Sequence, residues 1–174
     1  AMFLIFWTTG SLTFTEVSTG YDGDFILIRY NSDPSVPWGG HSAVGWKGGD
    51  QELEFRVGAA GLASDQPATS TARHEILHAL GLWHEQSRTD RDQFVDVDLD
   101  CVRSDSQGNF DVHDDSLDLG PYDFRSIMHY RARTFCVAPA LPQLDPDGDG
   151  CACVPMRKQN PVAPGDTDEL SMGA

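Results

Sequence analysis

Between residues 74 and 84 the chain reads His-Glu-Ile-Leu-His-Ala-Leu-Gly-Leu-Trp-His, and no other stretch limits the possible folds so tightly. His74 and His78 are four apart, so on an α-helix their rings stand on one face, one turn from each other. Two imidazole nitrogens presented in this way suit a borderline-soft cation such as zinc. Glu75 lies beside the first of them, placed to move a proton rather than to ligate. Gly81 can adopt φ > 0, end the helix and turn the chain sharply. The turn returns His84 as a third ligand and leaves one coordination position for water, which distinguishes a catalytic zinc site from a structural one. As a bare pair, His74 and His78 could be two surface histidines; Gly81 and His84 at fixed offsets argue against that.

Composition narrows the alternatives. A chain of 174 residues, 40% hydrophobic, is ordinary for a soluble globular protein. A net charge of −15 provides no basic stripe for phosphates, so a nucleic-acid partner is not expected. Most of the 27 acidic residues are Asp, which favours loops, caps and a solvated surface. The longest apolar run, Ala1 to Trp7, is too short to span a bilayer. It reads as the end of a helix.

Further along, Leu12–Val17, Phe25–Tyr30 and Gln51–Val57 carry strand signals, the last as an antiparallel strand at a sheet edge. The zinc helix is expected over about 70–81, with Thr69, Ser70 and Thr71 as candidate N-caps. Tyr21 to Asp24 reads as a turn, His41 as a loop histidine, and His113 as an exposed one without a catalytic role. Four cysteines, Cys101, Cys136, Cys151 and Cys153, allow three complete pairings. Cys151 and Cys153 are too close to bond each other comfortably, so an oxidised chain links each to Cys101 or Cys136. Asp145, Asp147 and Asp149 imitate the first positions of an EF-hand loop, but Met156 stands where a bidentate Glu is required. Calcium there is the lesser reading beside an acidic turn. Asp166 to Met172 reads as a short final helix.

The residues 74–84 resemble the metzincin signature H-E-x-x-H-x-x-G-x-x-H. Their continuation, Glu85-Gln86-Ser87-Arg88-Thr89-Asp90-Arg91-Asp92, looks like the astacin branch, as does Ser126-Ile127-Met128-His129-Tyr130, which resembles its Met-turn. The resemblance is to a truncated or bacterial-type astacin. It implies an α+β catalytic domain over 1–174, with an N-terminal lobe of about 1–81 and an irregular C-terminal lobe of about 82–174. Between them lies a cleft, and the sheet is twisted and mostly parallel with an antiparallel edge strand. It also implies one catalytic zinc on His74, His78 and His84, with Tyr130 as a further ligand in the resting state and a stabiliser of the oxyanion. Met128 forms a floor under the ligands, Gly81 shapes the turn and His129 is structural. Glu85 in such proteins meets a buried amino terminus; since this chain starts late for the family, it is expected to lack that partner. The cluster Arg88, Asp90, Arg91 and Asp92 would be paired and partly buried. Gly40 stands where a cysteine is usual.

The expected function is a secreted zinc endopeptidase acting on protein or peptide substrates, with Glu75 as general base. The alternatives are an inactive or latent zinc-binding fragment and, less favoured, a calcium-dependent structural module.

Overall fold

A computed structural model describes residues 2–8, 11–18, 20–33, 39–56, 66–139 and 150–159. The chain forms two compact units, Ala1–Leu82 and Trp83–Ala174.

The first unit is a five-stranded sheet with one helix. Its strands are β1 (Met2–Thr8), β2 (Ser11–Glu16), β3 (Phe25–Asn31), β4 (Gly40–Ser42) and β5 (Asp50–Arg56), arranged β2-β1-β3-β5-β4. Only β3 and β5 run parallel; β1/β2, β1/β3 and β4/β5 are antiparallel. The α+β class stands, but the expectation of a mostly parallel sheet does not. Its cause is connection length: only residues 9–10 separate β1 from β2, which suffices for a hairpin and not for a crossover.

Two further expectations are corrected by the sheet. The apolar run at the start is strand β1, not a helix end. It pairs with β2 on one side and with β3 on the other. Strand β5 is internal, between β3 and β4, and the edge is β4. The alternation of β5 reports a covered face instead. Gln51, Leu53 and Phe55 point inward and are buried, whereas Glu52 and Arg56 are exposed.

Helix α1 (Gln66–Ala79) covers that inward face. Ala72, Ile76 and Ala79, at i, i+4 and i+7, meet Leu53, Phe55, Ile26 and Ile28. Full burial of Leu53 and Phe55 stabilises the pairing by about 1.5–3 kcal/mol each. The helix starts earlier than expected, so Thr69, Ser70 and Thr71 lie inside it rather than capping it. Its far end closes by two bonds: Leu82 N–H donates to the Leu77 carbonyl (3.0 Å) and Gly81 N–H to that of His78 (2.8 Å). This is the Schellman arrangement, and Gly81 has the required positive φ of 102°.

The second unit is largely irregular. Strands β6 (Val95–Val97) and β7 (Met156–Lys158) pair antiparallel, and short 3-10 turns include Glu85–Ser87 and Gln107–Phe110. Its core gathers Val95, Val102, Phe110, Tyr122, Tyr130 and Met156. Disulfides Cys101–Cys153 and Cys136–Cys151 staple it, each of the close pair bonding a distant partner. The expected calcium loop at Asp145, Asp147 and Asp149 and the helix at 166–172 lie outside the described residues.

Candidate metal centre

The eleven residues from His74 to His84 bring the three imidazoles together. One ring nitrogen from each of His74, His78 and His84 lies within 4.8 Å of the others. His74 and His78 are buried, with ring centroids 4.6 Å apart and planes nearly perpendicular. His74 and His78 share the last turns of the helix, and Gly81, three residues after His78, redirects the chain.

His78 Nδ1 lies 2.8 Å from the Leu82 carbonyl oxygen. A carbonyl only accepts, so Nδ1 carries the proton and Nε2 keeps its lone pair for a ligand. Burial lowers the His78 pKa to about 4, against the opposing pull of the Leu82 hydrogen bond and with a further lowering by His74. The ring is therefore neutral, as a metal ligand must be. Three nitrogen donors suit zinc and are poor for calcium or magnesium, which take oxygen. Among the described residues this is the one His, Cys, Asp and Glu grouping able to hold a metal ion, and calcium has no support.

Glu75 projects from the same helix and is 5% exposed. Burial raises its pKa from 4.5 to about 7. Its side chain lies over the bare backbone of Gly40, where a Cβ would come within 2.7 Å of Glu75 Cγ and of Thr71 Cγ2.

On the other side of the turn, the His84 ring stands 4.3 Å from the Tyr130 ring, centroid to centroid. Phe110 and Phe135 meet Tyr130 edge-on at 5.7 and 5.5 Å. Met128 is 1% exposed, and its carbonyl accepts from Glu85 N–H at 3.0 Å. Tyr130 N–H donates to Gln86 Oε1 at 3.0 Å. Thus residues 85–86 and 128–130 are tied at two points.

Glu85 has partners that the sequence did not suggest. Asp123 N–H donates to its Oε1 at 2.9 Å, and the Arg88 guanidinium stands 3.4 Å away. Desolvation still dominates and raises its pKa. Arg88 is itself buried, forks onto Asp90 through Nε and Nη2 at 2.9 Å each, and donates to the carbonyls of Leu119 and Gly120. Arg91 donates to the carbonyls of Gln86 and Phe110. In this cluster Arg88 and Arg91 are inside, while Asp92 faces solvent.

The remaining histidines are not in that grouping. His41 is exposed on β4. His113 is half-buried rather than exposed, stacked 3.5 Å from Trp83. His129 is fully buried; Nδ1 donates to the Tyr130 carbonyl at 2.7 Å and Nε2 accepts from the Tyr122 hydroxyl at 2.8 Å. Gln86 and Tyr122 fall within the stretches that resemble the family but carry no role in the sequence reading, since nothing local marks what either side chain would bond.

Comparison with known proteins agrees with this geometry. The family profile described as Astacin, a peptidase family, matches residues 8–160. The zinc metalloproteinase nas-14 of Caenorhabditis elegans is 38% identical over 121 residues, covering 67% of this chain and 22% of that protein. Meprin A subunit alpha of Mus musculus is 42% identical over 99 residues, covering 55% of this chain and 13% of that protein. In structure, high choriolytic enzyme 1, a hatching enzyme zinc-protease from Oryzias latipes, matches with a TM-score of 0.59 and 29% identity, over 86% of this chain and 62% of that one. The chain thus spans 22% and 13% of the length of the first two of these relatives. All are animal proteins, so the bacterial-type reading has no support.

Proposed function

The chain belongs to the astacin family of peptidases, and on that footing we propose that it is a zinc-dependent endopeptidase. The observation that carries this reading is the convergence of three imidazole nitrogens within 4.8 Å of one another, with the buried Glu75 next to His74 on the helix. In this reading residues 1–174 form one catalytic domain, and His74, His78 and His84 hold the ion. Tyr130 would offer the ion a further oxygen ligand. Zinc bound there would supply Lewis acidity toward a scissile carbonyl and would lower the pKa of a water to about 7.

The chain's own groups supply the rest. Glu75 accepts a proton at its carboxylate from the attacking water and returns it to the leaving amine. Its burial excludes bulk water from that transfer. The Tyr130 hydroxyl donates a hydrogen bond to the oxyanion as charge develops there. Its aromatic neighbours, Phe110 and Phe135, limit where the ring can go. Gly81 sets the angle at which His84 returns, and Met128 with Glu85 holds the segment that follows.

The substrate is a protein or peptide. Two disulfides suit an oxidising compartment, which supports a secreted protein; no described helix is long and apolar enough to cross a membrane.

The test is cleavage of casein or a fluorogenic peptide by zinc-loaded protein. Activity should disappear with a chelator and return with zinc. Stoichiometric zinc on His74, His78 and His84 without any hydrolysis would overturn the proposal.

A further inference from the structure

We propose that Gln86 is a positioning residue that holds Tyr130 for its work on the oxyanion, acting through the Tyr130 backbone. Gln86 is 0% exposed, and its Oε1 accepts the Tyr130 N–H at 3.0 Å. Among the described residues its Nε2 is the one buried side-chain nitrogen or oxygen without a hydrogen-bond partner. The two ends of the amide are therefore unequal: the oxygen is used and the nitrogen is tolerated. If the position needed only volume, a methionine or leucine would fill it without burying an unsatisfied donor. Turning the amide over would set its NH2 against the Tyr130 N–H, so the oxygen's orientation is fixed.

The surroundings give this bond leverage. Gln86 is two residues beyond His84, and its own carbonyl is held by Arg91 at 3.1 Å. Glu85 N–H bonds the Met128 carbonyl. The segment carrying the third histidine and the segment carrying Tyr130 are thereby joined at both 85–128 and 86–130. His84 and Tyr130 rings 4.3 Å apart are the product. Losing the Gln86 acceptor removes the partner of the Tyr130 N–H, while the bond from His129 to the Tyr130 carbonyl remains. A displacement of about 1 Å at a reacting group costs about a hundredfold in rate.

The inference rests on the role assigned to Tyr130 above, and its test separates the two. Gln86→Met removes the acceptor at similar volume. Gln86→Glu keeps an acceptor oxygen. Zinc-loaded Gln86→Met should retain its zinc and KM while kcat falls about ten- to a hundredfold. By NMR, the Tyr130 amide should exchange its hydrogen at least about tenfold faster, with the rest of the second unit unchanged. Gln86→Glu should restore both readouts. In a Tyr130→Phe background, Gln86→Met should lower kcat by less than about twofold, because both changes disable the same group.

Unchanged protection of the Tyr130 amide in Gln86→Met overturns the proposal, and so does an equal loss of kcat in both backgrounds. Gln86→Asn, whose oxygen is drawn back by one methylene, decides the matter should the methionine variant not fold. A zinc-loaded wild type that cleaves nothing removes the peptidase reading, and exchange at Tyr130 still judges the positioning.

Discussion

Replacing Glu75 by Gln should make the metal-free protein more stable and the metal-loaded protein inactive. The carboxyl is 5% exposed, and burial raises its pKa from 4.5 to about 7. That displacement corresponds to at most roughly 3 kcal/mol of penalty on the ionised form. Because the folded carboxyl holds its proton more tightly than the unfolded one, its contribution is present in full below 4.5. It is lost as pH rises through about 7. Gln has the same shape and no charge to bury, so the variant escapes this loss. His78 works in the opposite sense: its lowered pKa contributes stability above 6.5 that is lost as pH falls toward about 4. That effect is common to both proteins and cancels in their difference. Urea unfolding of chelated wild type and Glu75→Gln at pH 5 and pH 8 gives the measurement. The advantage of the variant should be small at pH 5 and about 2–3 kcal/mol at pH 8. With zinc restored, the variant should bind the ion and lose at least about a hundredfold in peptide cleavage. A pH-independent stability difference would refute the account of Glu75 burial, and retained cleavage would refute its role as base.

Three other expectations are open to direct measurement. Zinc at about a hundred times its dissociation constant should stabilise the chain by about 2.7 kcal/mol and raise Tm by about 5–10 °C; a chelator should reverse the shift, and His78→Ala should abolish it. Loss of Cys101–Cys153, which closes a separation of 52 residues, should cost about 4 kcal/mol, against about 3 kcal/mol for Cys136–Cys151 with a separation of 15; paired Cys→Ser variants in urea would show whether that order holds. Arg88→Lys should lower stability by about 2 kcal/mol, because an ammonium cannot reproduce the fork onto Asp90 together with bonds to two carbonyls. An unchanged urea midpoint would show that Arg88 is dispensable.

The metal-binding stretch was legible because all of its information is local. Helical spacing aligns His74 with His78, and the only residue free to take φ of 102° stands where the turn is needed. Met128 and Tyr130 were different. From the residues alone they read as packing, and only the resemblance pointed to them. Strand β1 was misread because an unbroken apolar run has no period, and a short strand and a helix end then look alike. The edge was misplaced because β4 is three residues long and begins with glycine, too short to show alternation. Gln86 and the Glu85–Asp123 bond depend on contacts 44 and 38 residues apart in sequence, and nothing local announces such a pairing.

His78 Nδ1 stands 2.8 Å from the Leu82 carbonyl oxygen, inside the turn that Gly81 closes. The helix end and the ligand are therefore one device. Whatever displaces that carbonyl also changes which ring nitrogen bears the proton, so a substitution at Gly81 reaches the imidazole as well as the turn.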